Sequence, residues 1–576
     1  MKKQWKVLEK ISDSECGQFP EIHPLALQLL MNRGIKTQDK IDEFLYPDYG
    51  KDVHDPFLLS GMEKAVERIM KAIVNKEMIM AYGDYDADGV CATAVLVSVL
   101  KGLGVDPHVH IPYRESEGYG LNMKVVDEIR EKNISLIITV DCGIANVKEI
   151  EAIQKSGADV IVTDHHIPQE ILPGAYSLIN PKLTSDYPSQ DICGTAVAFK
   201  LAQALVSEKN RAEYKDRVNF PVAGFEKWLL DLVAIGTVSD LVELTGESRT
   251  LTKYGLMVLK KTRRAGLIEL MKISRIDVNT LNTFSIGFQI GPRLNAAGRM
   301  GHALTSYELL MTNNSTEATG LANDLHIKNQ MRQKLGESMR TSAVKQIVGR
   351  ENDFMVFAKD DTWSPPLVGL VAGRVCEELF RPCIIIGKNT EGKIVGSGRS
   401  IDGFDITRAL GECKEYLLRY GGHTHACGFT LKDDSVYDEF KKMMLSLAEK
   451  SLKEKDLAPE LAIDSRAILS EISWEFMKEL EKFEPYGHGN HEPRFLIEKC
   501  KVAACNTVGQ NGSHLKGAIT DDKNTLRQII GFGLGALCKT IKAGDSVDIV
   551  CEPSINQWNG NREIQLKIID MKLSSN

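Results

Sequence analysis

Met78-Ile79-Met80-Ala81-Tyr82 runs straight into Gly83-Asp84-Tyr85-Asp86-Ala87-Asp88-Gly89, and the small, apolar Cys91-Ala92-Thr93-Ala94-Val95-Leu96 follows. An apolar run with no alternation predicts a strand buried on both faces, and the small residues after the acidic turn predict a closely packed helix. The form recurs. Leu136-Ile137-Ile138-Thr139-Val140 ends at Asp141-Cys142-Gly143, and Asp159-Val160-Ile161-Val162-Thr163 ends at Asp164-His165-His166. Strands alternating with helices imply a parallel sheet with helices on both faces. In such sheets ligands bind outside the carboxyl ends of the strands. Asp84, Asp86, Asp88, Asp141, Asp164 and His165 should therefore converge on one crevice. A buried helix is expected over 228–234, and the Gly236-Thr237-Val238-Ser239-Asp240 string after it offers Asp240 as a further member.

Such a cluster is unfavourable without a cation. Two carboxylates ~4 Å apart repel by roughly 4 kcal/mol at an effective dielectric of 20. Oxygen-rich ligation with one or two imidazoles suits Mn2+ or Mg2+ better than a thiolate-loving ion. There are enough carboxylates to bridge two such ions, an arrangement suited to lowering the pKa of a bound water and stabilising attacking and leaving oxygens. Taken singly the pieces read otherwise. D-x-D-x-D-G is half of a calcium loop, although the later Glu is missing where Thr93, Ala94 and Val95 stand. Asp-His-His alone could be a helix cap with a core histidine, and Asp-Cys-Gly alone a turn. Their order at successive strand ends favours a metal site.

The 576 residues exceed what one hydrophobic core holds, so several domains are expected. A hydrophobic fraction of 43% and a charged fraction of 26% are ordinary for globular chains. The formal charge of −7 argues against a surface coated in positive charge for bulk DNA binding. Local basic runs, such as Lys260-Lys261-Thr262-Arg263-Arg264, read first as solvated helix faces. The 12 cysteines include no C-x-x-C pair, which suits neither a zinc ribbon nor a disulfide framework. No apolar stretch approaches the ~18–20 residues of a membrane span. A soluble, cytoplasmic protein is expected, and a monomer by default.

Residues 1–55 read as an N-terminal arm and 56–314 as the α/β catalytic domain. A long charged helix over 315–350 should connect it to a second α/β domain over 351–455. The tail, 456–576, carries short alternating strands and turn signals such as Gln510-Asn511-Gly512 and Asn559-Gly560-Asn561, the pattern of a small β-barrel.

Four elements in this order, Asp84-Tyr85-Asp86-Ala87-Asp88-Gly89, Asp141-Cys142-Gly143, Asp164-His165-His166 and Thr237-Val238-Ser239-Asp240, resemble the DHH phosphoesterase superfamily. The rest of the chain resembles its RecJ branch over nearly the whole length. The matching strings are Pro292-Arg293-Leu294-Asn295-Ala296-Ala297-Gly298-Arg299, Gly396-Ser397-Gly398-Arg399-Ser400, Gly421-Gly422-His423 and Pro485-Tyr486-Gly487-His488-Gly489-Asn490. The resemblance implies a DHH domain, a DHHA1-type domain and an oligonucleotide-binding (OB) barrel. It implies that Asp86, Asp88, Asp141, His165 and Asp240 are ligands of two divalent cations. Asp84, Asp164 and His166 would support the cluster or position water and substrate. His423 would reach the scissile phosphate or serve as a core histidine.

By the same resemblance Arg114, Tyr119, Ser397 and Arg399 clamp a 5′-phosphate. Gly421 and Gly422 would let backbone approach phosphate. Arg293 and Arg299 are further phosphate candidates or structural ion-pair partners. In the barrel, Lys516 and Trp558 are candidates for holding a strand, with barrel packing the alternative for Trp558. One departure stands out: where relatives carry Trp-His and then a Gly, this chain reads Trp363-Ser364-Pro365-Pro366-Leu367-Val368-Gly369.

The expected function is a metal-dependent exonuclease that degrades single-stranded DNA 5′ to 3′ to 5′-mononucleotides in DNA repair and recombination. By resemblance a helicase and a single-strand-binding protein are its expected partners. The competing readings are a DHH phosphodiesterase of short oligonucleotides or cyclic dinucleotides, against which the barrel argues, and a strand-binding protein with a vestigial site.

Overall fold

The computed structural model describes residues 3–558 and 560–574. It divides into two compact units. One comprises Asp55–Asp240 and Gly255–Pro459; the other comprises Met1–His54, Leu241–Tyr254 and Glu460–Asn576.

The first unit opens on a five-stranded, all-parallel sheet in the order His108–His110, Ile79–Gly83, Leu136–Val140, Asp159–Thr163, Ser177–Ile179. The three central strands are buried almost throughout, as a parallel sheet covered on both faces requires. Their register sets up everything that follows. Gly83 pairs with Val140, and Val140 with Thr163, so the three strands stop level with one another. The residues that come next, Asp84, Asp141 and Asp164, thus emerge side by side. The strand order reverses direction between Ile79–Gly83 and Leu136–Val140, the switch point where such sheets open a crevice.

Helix Ala87–Gly102 leaves that crevice and packs against helices Gly194–Leu205 and Leu230–Ser239. The contact is close enough that a Cβ on Gly236 would lie 2.2 Å from Thr195 Oγ1 and 2.5 Å from Asp88 Oδ1. The expected helix over 228–234 begins two residues late. Trp228 lies in a single 3-10 turn, Phe225–Leu229, 40% exposed and under Arg263.

The 33-residue helix Ser315–Ile347 leads to the second domain of this unit. Its mixed sheet runs Leu417–His423, Ala426–Leu431, Ile394–Arg399, Cys383–Lys388, Val356–Lys359, with only the last pair parallel. Phe429 and Phe440 anchor the core on one face, Leu367 and Val371 on the other.

In the other unit, strands Phe495–Val508, His514–Thr520, Leu526–Gly531, Asn561–Leu573 and Ser546–Trp558 follow one another around a barrel. Pairing of the first with the last closes it. Residues 3–54 do not stand apart from it. Strand Gln4–Val7 pairs with Glu460–Ile463, and Leu27, Leu30 and Phe44 share a core with Phe476, Phe483 and Phe495. Arg249, 1% exposed, ties this unit together through its guanidinium, which donates to the carbonyls of Phe44, Lys482, Glu484 and Pro485 at 2.8–3.2 Å. Among the described residues no helix is long and apolar enough to cross a membrane.

Candidate metal centre and phosphate cleft

Each carboxylate of the cluster is placed by a local constraint. Asp86 caps helix Ala87–Gly102, accepting from the N–H groups of Asp88 and Gly89 at 2.9 and 3.1 Å. Asp88, two residues on and within the first turn, is held from the neighbouring helix by the N–H groups of Gly194 and Thr195 and by the Thr195 hydroxyl, at 2.6–3.0 Å. Asp141 sits at φ 61, a left-handed conformation unusual for a non-glycine residue, and its N–H donates to Thr163 O. That twist turns the carboxylate back over the end of the sheet. Asp240 ends helix Leu230–Ser239.

Asp164 has a different task. Its Oδ1 accepts from the N–H groups of His165 and His166 and lies 2.8 Å from His166 Nδ1, while Oδ2 accepts from Ile144 N–H. These bonds hold it below the usual carboxylate range in spite of complete burial. Burial works against a charge on His166 too, but Asp164 outweighs it and carries the imidazole up to about 9.

With Asp164 spoken for, the remaining acids crowd together. Asp84, Asp86 and Asp141 offer oxygens within 4.8 Å of one another, as do Asp88, His165 and Asp240; Asp141 also groups with His165 and His166. His166 commits Nδ1 to Asp164, so His165 is the imidazole with a free lone pair aimed into the cluster. Its Nε2 lies 3.1 Å from Asp141 Oδ1, 3.7 Å from Asp240 Oδ2 and 3.8 Å from Asp88 Oδ2. That nitrogen, Asp141 Oδ1 and Asp84 Oδ1 are buried without a hydrogen-bond partner. Burial, and then the neighbouring acids, push Asp84, Asp86 and Asp141 above their ordinary range, and Asp240 up to about 8. Several acceptors facing one space with no donor between them is the environment a cation satisfies. The oxygen-rich, single-imidazole donor set fits hard divalent ions.

Beside the cluster lies a cavity of about 920 Å³ between the two domains of this unit. Arg114 and Tyr119 enter from the loop after strand His108–His110, Arg299 from helix Gly291–Met300, and Ser397, Arg399 and Gly421 from the mixed sheet. Gly421 pairs with Gly428, and Gly428 with Ser397, so the strands lay an open floor; a Cβ at either glycine would meet nothing within 4 Å. Arg399 Nη1 donates to Ser397 Oγ and Gly398 O, and no carboxylate neutralises it among the described residues. Burial, with Arg114 and Arg332 nearby, pushes Arg299 down to about 9. Since a guanidinium keeps its proton, that crowding expresses a demand for an anion. Tyr119 joins cleft and cluster: it lines the cavity while its hydroxyl lies 3.0 Å from His166 Nδ1.

Comparison with known proteins identifies the domains. The DHH family, N-terminal domain, matches residues 78–237; the DHHA1 domain matches 352–450; the RecJ OB domain matches 463–570. The single-stranded-DNA-specific exonuclease RecJ of Bacillus subtilis is 37% identical over all of this chain and 71% of its own length. That of Escherichia coli is 31% identical over 99% of both. This chain belongs to the RecJ family. The crystal structure of Thermus thermophilus RecJ in complex with Mn2+ superposes with a TM-score of 0.81 at 29% identity, covering all of this chain and 80% of that one. The complex with Mg2+ gives 0.75 at 27%, covering all of this chain and 79% of that one.

Not every RecJ-like candidate gathers here. Residues alternate faces along a strand, so Gly421 lines the cleft while Gly422 does not. Gly422, at φ 148, is a packing glycine whose Cβ would strike Ala426 O at 2.2 Å. His423 is exposed at the end of the same strand, outside the cleft lining. Arg293 points away, to His326, and lines a separate hollow. Lys516 is exposed on barrel strand His514–Thr520, in the other unit; the side chain of Trp558 lies outside the described residues.

The departure at Trp363 has a structural use. Pro365 and Pro366 open helix Pro365–Leu379, where a missing N–H is harmless, and Pro366 O accepts from Arg299 Nη1 at 2.9 Å. Arg419 and Tyr85 are among the lining residues that the sequence reading does not single out. Arg419 lies two before Gly421 and so on its face, a strand-period signal that was available. Tyr85, between Asp84 and Asp86, was hidden by its acidic neighbours.

Proposed function

We propose that this chain hydrolyses single-stranded DNA from its 5′ end and releases 5′-mononucleotides. Asp86, Asp88, Asp141, His165 and Asp240 hold two divalent cations, Mn2+ or Mg2+, with Asp84 beside them. When bound, such cations offset the carboxylate charge, make a water more acidic and neutralise charge on the phosphate under attack. The chain's own residues do the rest. Asp164 fixes both histidines of the turn. His166, held by Asp164, stands at the edge of the cluster beside Tyr119. Arg114, Tyr119, Arg299, Ser397 and Arg399 grip the terminal 5′-phosphate, and the glycine floor at Gly421 lets the strand lie close.

Tyr119 carries the reading: one side chain touches both the cluster and the arginine cleft, so a phosphate held in the cleft presents its neighbour to the acids. The RecJ relatives, whose names specify single-stranded DNA, support the substrate. On this reading residues 56–314 supply the chemistry, 315–350 the connection, 351–455 the grip on the end and 456–576 the hold on the strand. A nuclease confined to single strands depends on another activity to open duplexes. A helicase and a single-strand-binding protein in the cytoplasm, acting in repair and recombination, are the partners that follow.

The test uses the purified full chain on single-stranded DNA labelled at either end, with Mn2+, Mg2+ or chelator. Metal-dependent release of mononucleotides from the 5′ end, with duplex spared and Asp141→Ala inactive, is the expected result. Cleavage of cyclic dinucleotides with the long strand intact would replace the reading by the small-substrate one. A fully active Asp141→Ala would refute the ligand assignment.

A further inference from the structure

A second hollow lies where the end of helix Ala265–Ile273 meets helices Gly291–Met300 and Ser315–Ile347. Lys272, Ser274, Arg275, Arg293, His326 and Gln330 line it. Arg293 and Arg299 share one helix but stand six residues apart, about 9 Å along the axis and about 120° around it. A phosphate in the arginine cleft therefore cannot also be held by Arg293.

No carboxylate lines this hollow. Lys272 is paired with Glu269 at 2.6 Å, whereas no ion pair of Arg275 or Arg293 occurs among the described residues. Arg293 Nε and Nη2 reach His326 Nδ1 at 3.3 and 3.2 Å, and Nη1 donates to Gln289 O. The other ring nitrogen lies 3.0 Å from the Gln330 amide. Burial, then Arg293 and Arg275, hold the imidazole below its ordinary range. Ser274 is 8% exposed, and its Oγ has no hydrogen-bond partner. Arg275 follows at φ 56, a left-handed position past a helix end where glycine is usual. The carbonyls of Leu270, Met271 and Lys272 at that helix end accept from the N–H groups of Ser274, Ile276 and Arg275, and the two guanidiniums must outweigh the residual negative end of the helix.

Two unneutralised guanidiniums beside a hollow without a carboxylate suit a tetrahedral oxyanion. We propose that this hollow is a second phosphate-binding subsite, with Arg275 and Arg293 gripping the oxygens. The ligand is a phosphate group, either a backbone phosphodiester of a nucleic-acid strand or a free monoester such as a nucleotide. The strand source rests on the function proposed above; the free source does not.

The test follows the ring nitrogen-15 signals of His326 in the histidine-labelled full chain, assigned by their loss in His326→Gln. The probes, added in chelator, are inorganic phosphate, deoxyadenosine 5′-monophosphate and a long thymidine oligonucleotide without terminal phosphates. At least one probe is expected to move the His326 signals, and Arg275→Gln, a change at an exposed side chain, is expected to abolish that movement. Movement by the oligonucleotide alone identifies the backbone as ligand. The log–log salt slope of its binding should then fall by about 0.7 in Arg275→Gln, the value of one lost contact on a single strand. Movement by phosphate and the monophosphate at millimolar concentration identifies the free source. His326 signals that no probe moves, or that move equally in Arg275→Gln, overturn the subsite. An oligonucleotide that does not bind the chain at all counts against the proposed function and leaves the free-phosphate arm to decide.

Discussion

Arg399→Met removes the guanidinium from the cleft and keeps the apolar stem. In the structure that guanidinium touches Ser397 Oγ and Gly398 O, has no carboxylate partner among the described residues, and faces a floor with no side chain in the way at Gly421 and Gly428. A bidentate grip on a terminal phosphate consists of two charge-assisted hydrogen bonds. Since each is worth ~1.5–3 kcal/mol in isolation and shares its role with the other arginines, the net loss should be about 2–3 kcal/mol, or roughly 30- to 150-fold in kcat/KM. The assay compares wild type and Arg399→Met on the same single strand with a 5′-phosphate and with a 5′-hydroxyl. The wild type should favour the phosphorylated strand by a similar factor. The variant should lose most of that preference while falling less than about threefold on the hydroxyl strand. An equal fall on both strands would refute the reasoning, because Arg399 would then be serving the sheet and not the end of the substrate.

Gly194→Ala places a Cβ 2.4 Å from Asp141 Oδ1, so the carboxylate must move; a displacement of ~1 Å should cost on the order of 100-fold in kcat, and wild-type turnover would show that the cluster tolerates it. Mn2+ at ~100 times its Kd should stabilise the unit that holds the cluster by about 2.7 kcal/mol. This would be read as a rise in its thermal midpoint that chelator reverses and Asp141→Ala lacks; an equal rise in the variant would place the ion elsewhere. Arg249→Leu leaves four carbonyls without their buried donor and should destabilise the barrel unit by ~3–5 kcal/mol, measured as a lower urea midpoint for that unit. An unchanged midpoint would mean that water satisfies those carbonyls.

The site was legible because its residues follow strands whose apolar runs declare themselves. Ile79–Gly83, Leu136–Val140 and Asp159–Thr163 are unbroken enough to be read as buried, and each is followed at once by an acid. Distance in sequence hid the rest. Asn32 Nδ2 donates to Asp464 O across 432 positions, and nothing local in residues 1–54 says that their helices share a core with Phe476 and Phe495. Nothing local marks Arg249 as buried, because the four carbonyls around it come from two distant segments, Phe44 and 482–485. The apolar run over 228–234 reads as one buried helix, but the Trp228 ring lies under Arg263 at the surface. Gly421 and Gly422 were read as a pair, whereas strand alternation gives them opposite faces, one for the cleft and one for packing.

Level strand ends bear on how this protein can vary. A strand advances about 3.3 Å per residue and turns its side chains over at each step, while metal ligation tolerates about 0.2 Å. Deleting one residue within Leu136–Val140 would therefore retract Asp141 beyond reach of its neighbours and aim it at the opposite face. Insertions and deletions that keep the cluster should therefore fall at the far rim of the sheet or in its surface loops. The level register of Gly83, Val140 and Thr163 just before the three acids, and not the length of any one strand, is then what distant kin must keep.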